Sequence, residues 1–478
     1  MKTNLSGANV KKISRRQFVL DSAAISGLTA VGLPNFVGIK ESVNIKKMTS
    51  KSITLKKGES TFEREPLIHS YGFKGGYITR LWQVATLLKS ENGFQSVGLG
   101  IQSPLWSDAR VAASRSESGG NSLMYDLTEK ALSLTNGMSF ESPIDLLDNI
   151  LEPVYEYGKK ITENPDLRKT FALNALVSVD NAAWLLYAQE NNITSFDELV
   201  PEIYKEGLSH RHQQVASIPS ISYSTAMEEV KKITGEGYFF LKIKIGSPGS
   251  QQEMLKKDME RLTQIHKTIG SVRTPHTKDG KLPYYLDANG RYESKEAFLK
   301  LLSHAKKIGA YEQIVVVEEP FPETWEQDVS DIPVRIAADE SAHTDQDALK
   351  RIQMGYKALA LKPVAKTLSM TMKIAQLAHE KGIPCLCADL TVNPTLVDWN
   401  KSVAARLAPL PGLNIGLLET NGHQNYKNWD KMLSYHPKPG ASWIKSQKGM
   451  FELDDTFYKE SAGILQSSVH YENLFKHS

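Results

Sequence analysis

The chain has two cysteines in 478 residues, too few for a disulfide framework or a cysteine-rich zinc site. It has no low-complexity tract and no internal repeat. Glycine (32) and proline (21) are at ordinary frequency, which excludes collagen-like and disordered classes. It also lacks a basic excess in its body. The formal net charge is +3, but Lys2, Lys11, Lys12, Arg15, Arg16 and Lys40 face Asp21 alone within residues 1–40. The rest of the chain is slightly acidic and has no surplus cations for phosphates, so nucleic acid is not an expected partner. The uncharged stretch Ser22 to Ile39 is broken by Gly27, Thr29, Gly32, Pro34 and Asn35. It is too polar for a spanning helix, and no stable membrane span is expected.

What is present begins with that same stretch. It follows Ser14-Arg15-Arg16-Gln17-Phe18-Val19-Leu20. A basic start, an arginine pair and a modest apolar run, in that order, look like a twin-arginine export signal. The expected location is therefore the periplasm, with residues 1–40 as the signal segment. This route carries folded proteins.

The body is ordinary globular composition, 41% hydrophobic and 23% charged, and long enough for two domains or a large barrel with an appended domain. From about residue 216 strand and helix patterns alternate. Strands are expected at Ser220–Ser224, Tyr238–Ile245, Pro283–Asp287, Gln313–Glu318, Val334–Asp339, Ala358–Lys362, Ile383–Asp389 and Leu413–Glu419. Helices are expected at Glu253–Thr268, Lys295–Ile308, Asp345–Met354 and Ser369–Lys381. This rhythm predicts an α/β fold, a closed (β/α) barrel of the TIM type over residues 216–430. The competing open sheet usually carries a Gly-rich phosphate turn after its first strand, and Ser222-Tyr223-Ser224-Thr225 is not one. Residues 50–215 read instead as an α+β domain. Tyr77–Leu88 and Phe94–Ile101 form a meander turning at Glu91-Asn92-Gly93, and Ala172–Gln189 has helical spacing. Residues 431–478 have no barrel strand left to form and are expected to pack back on the first domain.

A parallel barrel places its site at the C-terminal strand ends. Here those ends carry ionisable groups. Strand two reads Leu241-Lys242-Ile243-Lys244, and alternation points both lysines inward. Strands three, four and five end at Asp287, Glu318 and Asp339, and strand six at Lys362. Buried lysines need partners, and neighbouring carboxylates repel unless a cation joins them. A hard divalent ion answers that problem. Mg²⁺ takes oxygen ligands, with Mn²⁺ as the alternative ion. Glu319 and Glu340, one residue further along, should point the other way and serve the structure. Strands seven and eight end at Asp389 and Glu419, which with Asn289 are candidate substrate contacts. His343 reads as a helix-entry residue, and Cys385 and Cys387 as small buried side chains.

Lysine on strand two, carboxylates on three, four and five, and lysine on six together resemble the enolase superfamily. The Lys-x-Lys pair and the strand-six lysine are similar to its muconate-lactonizing subgroup. The likeness spans roughly residues 65–430. It includes Val177-Ser178-Val179-Asp180-Asn181-Ala182-Ala183-Trp184, Leu286-Asp287-Ala288-Asn289, Glu318-Glu319-Pro320 and Ala338-Asp339-Glu340-Ser341. The resemblance implies an α+β capping domain before the barrel and a metal on Asp287, Glu318 and Asp339. It places Lys244 and Lys362 on opposite faces of the substrate α-carbon. Lys242 would orient the substrate carboxylate or lower the Lys244 pKa. The implied activity is abstraction of the proton α to a carboxylate through an ene-diolate. The outcome is racemisation or epimerisation, or else cycloisomerisation or elimination. The implied partner is a small carboxylate, and the chain is expected to form a homo-oligomer.

Two departures matter. Dipeptide epimerases carry Asp-x-Asp at strand eight, where this chain has Glu419-Thr420-Asn421. Mandelate racemase-type enzymes use a strand-seven His, where this chain has Asp389. The alternative from another class is a non-catalytic exported protein that captures a carboxylate through its metal. It has no need of two facing lysines. A metal-dependent aldolase or sugar isomerase would need a metal-binding His, and none falls at strand ends two to six. Specificity is expected from His69–Gly76 and Gln102–Ser118.

Overall fold

The first domain is built on a hairpin. Ile53–Phe73 (β1) and Gly76–Ser90 (β2) pair antiparallel, and Gln95–Gln102 (β3) takes the other edge of β2. The short Ser139–Phe140 (β4) pairs with the start of β1. The meander occurs as expected, with Gly93 at φ 88 in its turn. The computed structural model describes residues 51–73 and 76–476, so the twin-arginine segment lies outside the described residues.

Against this sheet pack Pro104–Ser107 (α1), Glu117–Thr135 (α2), Pro143–Thr162 (α3) and Lys169–Glu190 (α4). A capping box between Ser142 and Asp145, with Pro143 in the first turn, starts α3. The close seating of α4 on β3 depends on glycine. A Cβ on Gly98 would lie 2.1 Å from Ala182 N and 2.3 Å from Ser178 O. At this range α4 side chains reach the β3 carbonyls, Asn181 donating to Leu99 (2.8 Å) and Asn174 to Ile101 (2.7 Å). Among the described residues α4 alone is long and apolar enough to cross a membrane, and it is almost wholly buried inside the body.

The second domain is a parallel sheet rolled on itself. Its strands are Gln214–Ile218 (β5), Ser220–Ile221 (β6), Leu241–Lys244 (β7), Tyr284–Asp287 (β8), Ile314–Glu318 (β9), Ile336–Ala338 (β10), Ala358–Leu361 (β11), Cys385–Cys387 (β12) and Gly416–Glu419 (β13). Hydrogen bonding runs β5-β13-β12-β11-β10-β9-β8-β7-β6. β5 and β6 flank Pro219, which cannot donate to a ladder. They are two halves of one first strand, so the sheet ends join through the chain itself and the barrel closes. That strand begins at Gln214, before the expected Ser220. The helices Gln251–Ile269 (α5), Lys295–Ile308 (α6), Asp345–Gln353 and Leu368–Glu380 (α7) fall near their expected bounds. α6 stops at Gly309, which is left-handed at φ 81. Pro394–Ala404 (α8) precedes β13.

The C-terminal segment departs from expectation. It does contribute a strand: Met450–Glu452 (β14) pairs antiparallel with β5. Buried polar contacts hold it to the barrel, where Asp398 on α8 accepts from Trp443 Nε1 (3.1 Å) and Lys401 donates to Trp443 O (2.7 Å). It also touches the first domain, through Ser461 with Phe196 N (2.8 Å) and His470 with Glu63 (2.8 Å).

Candidate active site

The barrel delivers its charged residues to one pocket at the C-terminal ends of its strands. Lys242, Lys244 and Lys362 line it, as do Asp287, Glu318 and Asp339. Asn289, Asp389 and Glu419 complete the rim foreseen from sequence. The backbone turns sharply where these strands end. Asn289 (φ 45) and Glu319 (φ 39) are left-handed, a conformation that non-glycine residues adopt at a cost of about 1–3 kcal/mol when surrounding structure holds them. Here Asn289 N donates to Asp287 (2.9 Å), and Glu319 accepts from Asp339 N (2.7 Å) and Ser341 N (2.8 Å). Glu319 therefore fixes the strand-five turn, as expected.

Lys242 is the hub. Its ammonium lies 3.1 Å from Asp287, 2.9 Å from Glu318 and 3.0 Å from Glu419. Lys244 contacts Asp287 (2.5 Å) and Asn289 (3.1 Å). Lys362 contacts Asp339 (2.6 Å), and Lys366 reaches the same carboxylate (3.1 Å) and Asp339 O (2.5 Å). Sequence reading missed Lys366. Its spacing of four residues from Lys362 was the available signal.

Burial opposes the Lys244 charge most strongly, but Asp287, together with Tyr71 and Glu419, holds the ammonium above the ordinary lysine value. The downward pull expected of Lys242 is present and smaller. Burial likewise opposes Lys362, and Asp339 lifts it. Burial also pushes the Glu318 carboxyl up to about 8; Lys242 pulls it down, while Asp339 and Glu340 add to the rise.

Those carboxylates fit a cation. Glu318, Asp339 and Glu340 can each place one oxygen so that all lie within 4.8 Å of one another. Glu318 Oε1 is buried and accepts no hydrogen bond. The donor set is all hard oxygen, as Mg²⁺ requires. Glu340 corrects the sequence reading, because it turns toward the cluster instead of away. Asp287 stands outside this tight group and joins it through Lys242. Asp389 is buried, which pushes it up to about 7, with Glu419 adding to the rise and backbone N–H groups of Asn421, Leu390 and Val392 opposing it.

The first domain closes the pocket with Tyr71, Ile78, Ser103 and Trp106. Tyr71, near the end of β1, falls in the expected His69–Gly76 segment and Ser103 and Trp106 in Gln102–Ser118, but sequence did not single these residues out. His343 lies outside, where its ring and Arg168 both bind Glu323. Burial pushes Cys385 up to about 12 and Cys387 higher still, so both thiols are inert.

Comparison with known proteins agrees with this geometry. Residues 225–426 match the family model described as enolase C-terminal domain-like. An L-Ala-D/L-Glu epimerase of Thermotoga maritima is 31% identical over 161 residues, covering 33% of this chain and 41% of that protein. The chain thus aligns with less than half of that curated relative's length. A dipeptide epimerase from Enterococcus faecalis, solved with Mg and L-Leu-L-Tyr, has a similar structure. Its TM-score is 0.60 at 17% identity, over 84% of this chain and 97% of that one. A dipeptide epimerase from Cytophaga hutchinsonii, solved with Mg and D-Ala-L-Val, also reaches 0.60 at 16% identity, over 84% and 93%. Residues 225–426 thus match the enolase C-terminal domain-like family model, and the fold is that of the two dipeptide epimerase structures.

Proposed function

We propose that this protein is a metal-dependent enzyme that moves the proton α to a substrate carboxylate, within the muconate-lactonizing-like branch of the superfamily. The observation that carries the reading is the opposed pair of lysines. Lys244 and Lys362 end β7 and β11, four strands apart around the barrel, and both line one pocket with carboxylates between them. Each lysine reaches a central carbon from its own side. One removes the α-proton and the other returns it on the far face, which inverts the centre. With a leaving group on the β-carbon, the second transfer gives way to elimination or ring closure. Asp287, Glu318 and Asp339 would hold Mg²⁺, which supplies positive charge that acidifies the α-proton and stabilises the ene-diolate. Lys242 offsets Asp287, Glu318 and Glu419 at once and keeps them close. A passive carboxylate binder has no use for the second lysine.

The epimerase relatives make dipeptides the first substrates to test, with N-acyl amino acids, hydroxy acids and lactone-forming dienoates beside them. The strand-eight end gives dipeptides no obvious advantage, since Glu419 is bound to Lys242 and to Asp389 N (3.1 Å). Incubation with Mg²⁺ and this panel in D₂O should yield an α-deuterated acid by mass spectrometry. A panel that takes up no deuterium would remove the proposal's support. Export through the twin-arginine route is a further part of it. Arg15→Lys with Arg16→Lys keeps the charge and should hold the protein in the cytoplasm; normal periplasmic levels of the double variant would count against a signal.

A further inference from the structure

Both opposed lysines are held by barrel residues, and one of them also meets a ring of the capping domain. Lys244 binds Asp287 and Asn289, both barrel residues, and its side chain is 13% exposed. Lys362 binds Asp339 on the barrel and is 3% exposed. Its ammonium also lies 4.4 Å from the ring centroid of Trp106, which comes from α1 of the capping domain. The indole is 5% exposed and firmly seated. Asn174 on α4 accepts from Ser103 N (2.9 Å) and Ser107 Oγ (3.2 Å), and Thr170 donates to Ser107 O (2.8 Å). The ring is thus carried by the same helix that packs on β3.

An aromatic face attracts an ammonium without taking its proton, and it excludes water from that side. We propose that Trp106 is a positioning residue for Lys362. The capping domain covers and aims Lys362 through this ring, while Asp287 and Asn289, which hold Lys244, belong to the barrel. The assignment rests on the two-lysine reading of the pocket, and it predicts an effect confined to one stereochemical direction. A ring that only filled the domain interface would affect both directions alike.

Two measurements test it. The first needs no substrate. Reductive methylation with formaldehyde and cyanoborohydride, followed by peptide mass spectrometry, compares Lys362 and Lys244 in the full protein. Trp106→Leu should speed labelling of Lys362 by about tenfold, the worth of a desolvated cation–π contact, and leave Lys244 within about twofold. The second uses the two stereoisomers of whichever panel acid exchanges fastest in D₂O. Lys362→Ala identifies the isomer that depends on that base. Trp106→Leu should slow exchange of that isomer by about tenfold and spare the other, and Trp106→Phe should restore most of the rate. Circular dichroism checks folding. If the leucine variant does not fold, Trp106→Phe carries the test, with a weaker ring costing the Lys362-dependent isomer alone. An equal change in the labelling of both lysines, no change at Lys362, or equal slowing of both isomers would overturn the assignment. If no acid exchanges, the enzymatic reading fails, while the labelling comparison still decides the role of Trp106.

Discussion

Carboxylates outnumber ammonium groups around the pocket, and that imbalance makes single-residue changes informative. Asp287, Glu318, Asp339, Glu340, Asp389 and Glu419 face Lys242, Lys244, Lys362 and Lys366. Asp287→Asn, Glu318→Gln and Asp339→Asn should each weaken Mg²⁺ binding in isothermal titration and abolish exchange, with circular dichroism unchanged. Unaltered affinity in all three would sink the metal assignment. Lys244→Ala should block exchange from one stereoisomer and Lys362→Ala from the other, each by on the order of 10²–10⁴. Equal exchange of both isomers in both variants would refute the pairing. Lys366 serves differently. It is buried and holds both the carboxylate and the backbone oxygen of Asp339. Lys366→Met should lower stability by about 3–5 kcal/mol in urea unfolding, because it leaves a buried charge with one partner fewer. The acids of strands three to five and the lysines of strands two and six were legible from spacing. Glu340, Lys366 and Trp106 were not, because side-chain direction and cross-domain contact decide their roles.

The elements show where local pattern suffices and where pairing overrides it. α6 was legible to the residue because Ser294 caps it, Gly309 ends it, and an amphipathic stripe lies between. α3 also announced its start through Ser142, Pro143 and Asp145. β1 was hidden. Its Lys56-Lys57-Gly58-Glu59 and Glu63-Arg64-Glu65-Pro66 stretches carry no apolar alternation, yet pairing with β2 along nearly its whole length makes it a strand of 21 residues. The contact of α4 with β3 can be tested at Gly98. Gly98→Ala puts a methyl into the backbone of α4 and should cost at least about 1–3 kcal/mol in urea unfolding. Gly235→Ala is the control. Nothing lies within 4 Å of its Cβ site, and alanine there should be neutral or stabilising by up to about 1 kcal/mol. Equal behaviour of the two variants would mean that the close approach is not required.

Across the whole molecule, one buried acid joins capping domain to barrel. Asp180 on α4 accepts from Ser369 N (3.1 Å) and from the Ser369 hydroxyl on α7, and Trp184 Nε1 donates to the same hydroxyl (3.0 Å). Burial pushes Asp180 up to about 7, against the hydrogen bonds from Ser369. Its folded pKa lies above the unfolded one, so between about pH 4 and 7 the folded state binds the extra proton and stability falls as pH rises. The loss runs over that window and is complete above about pH 7. Asp180→Asn should flatten this slope relative to the parent protein in urea unfolding at pH 4, 5.5 and 7.5. Parallel slopes would place the titration elsewhere. The sequence by itself determined the alternation of strands and helices, the acids and lysines at the strand ends, and the helical spacing of α4. These follow from hydrophobic period and chemical type, which are local properties. Only the tertiary structure decided that Pro219 splits the first strand, that β14 joins the barrel edge, that Glu340 turns toward the carboxylate cluster, and that Trp106 covers Lys362. Each of these depends on which distant segment arrives beside which. That is settled by burial and pairing across the chain, and no window of sequence contains both partners.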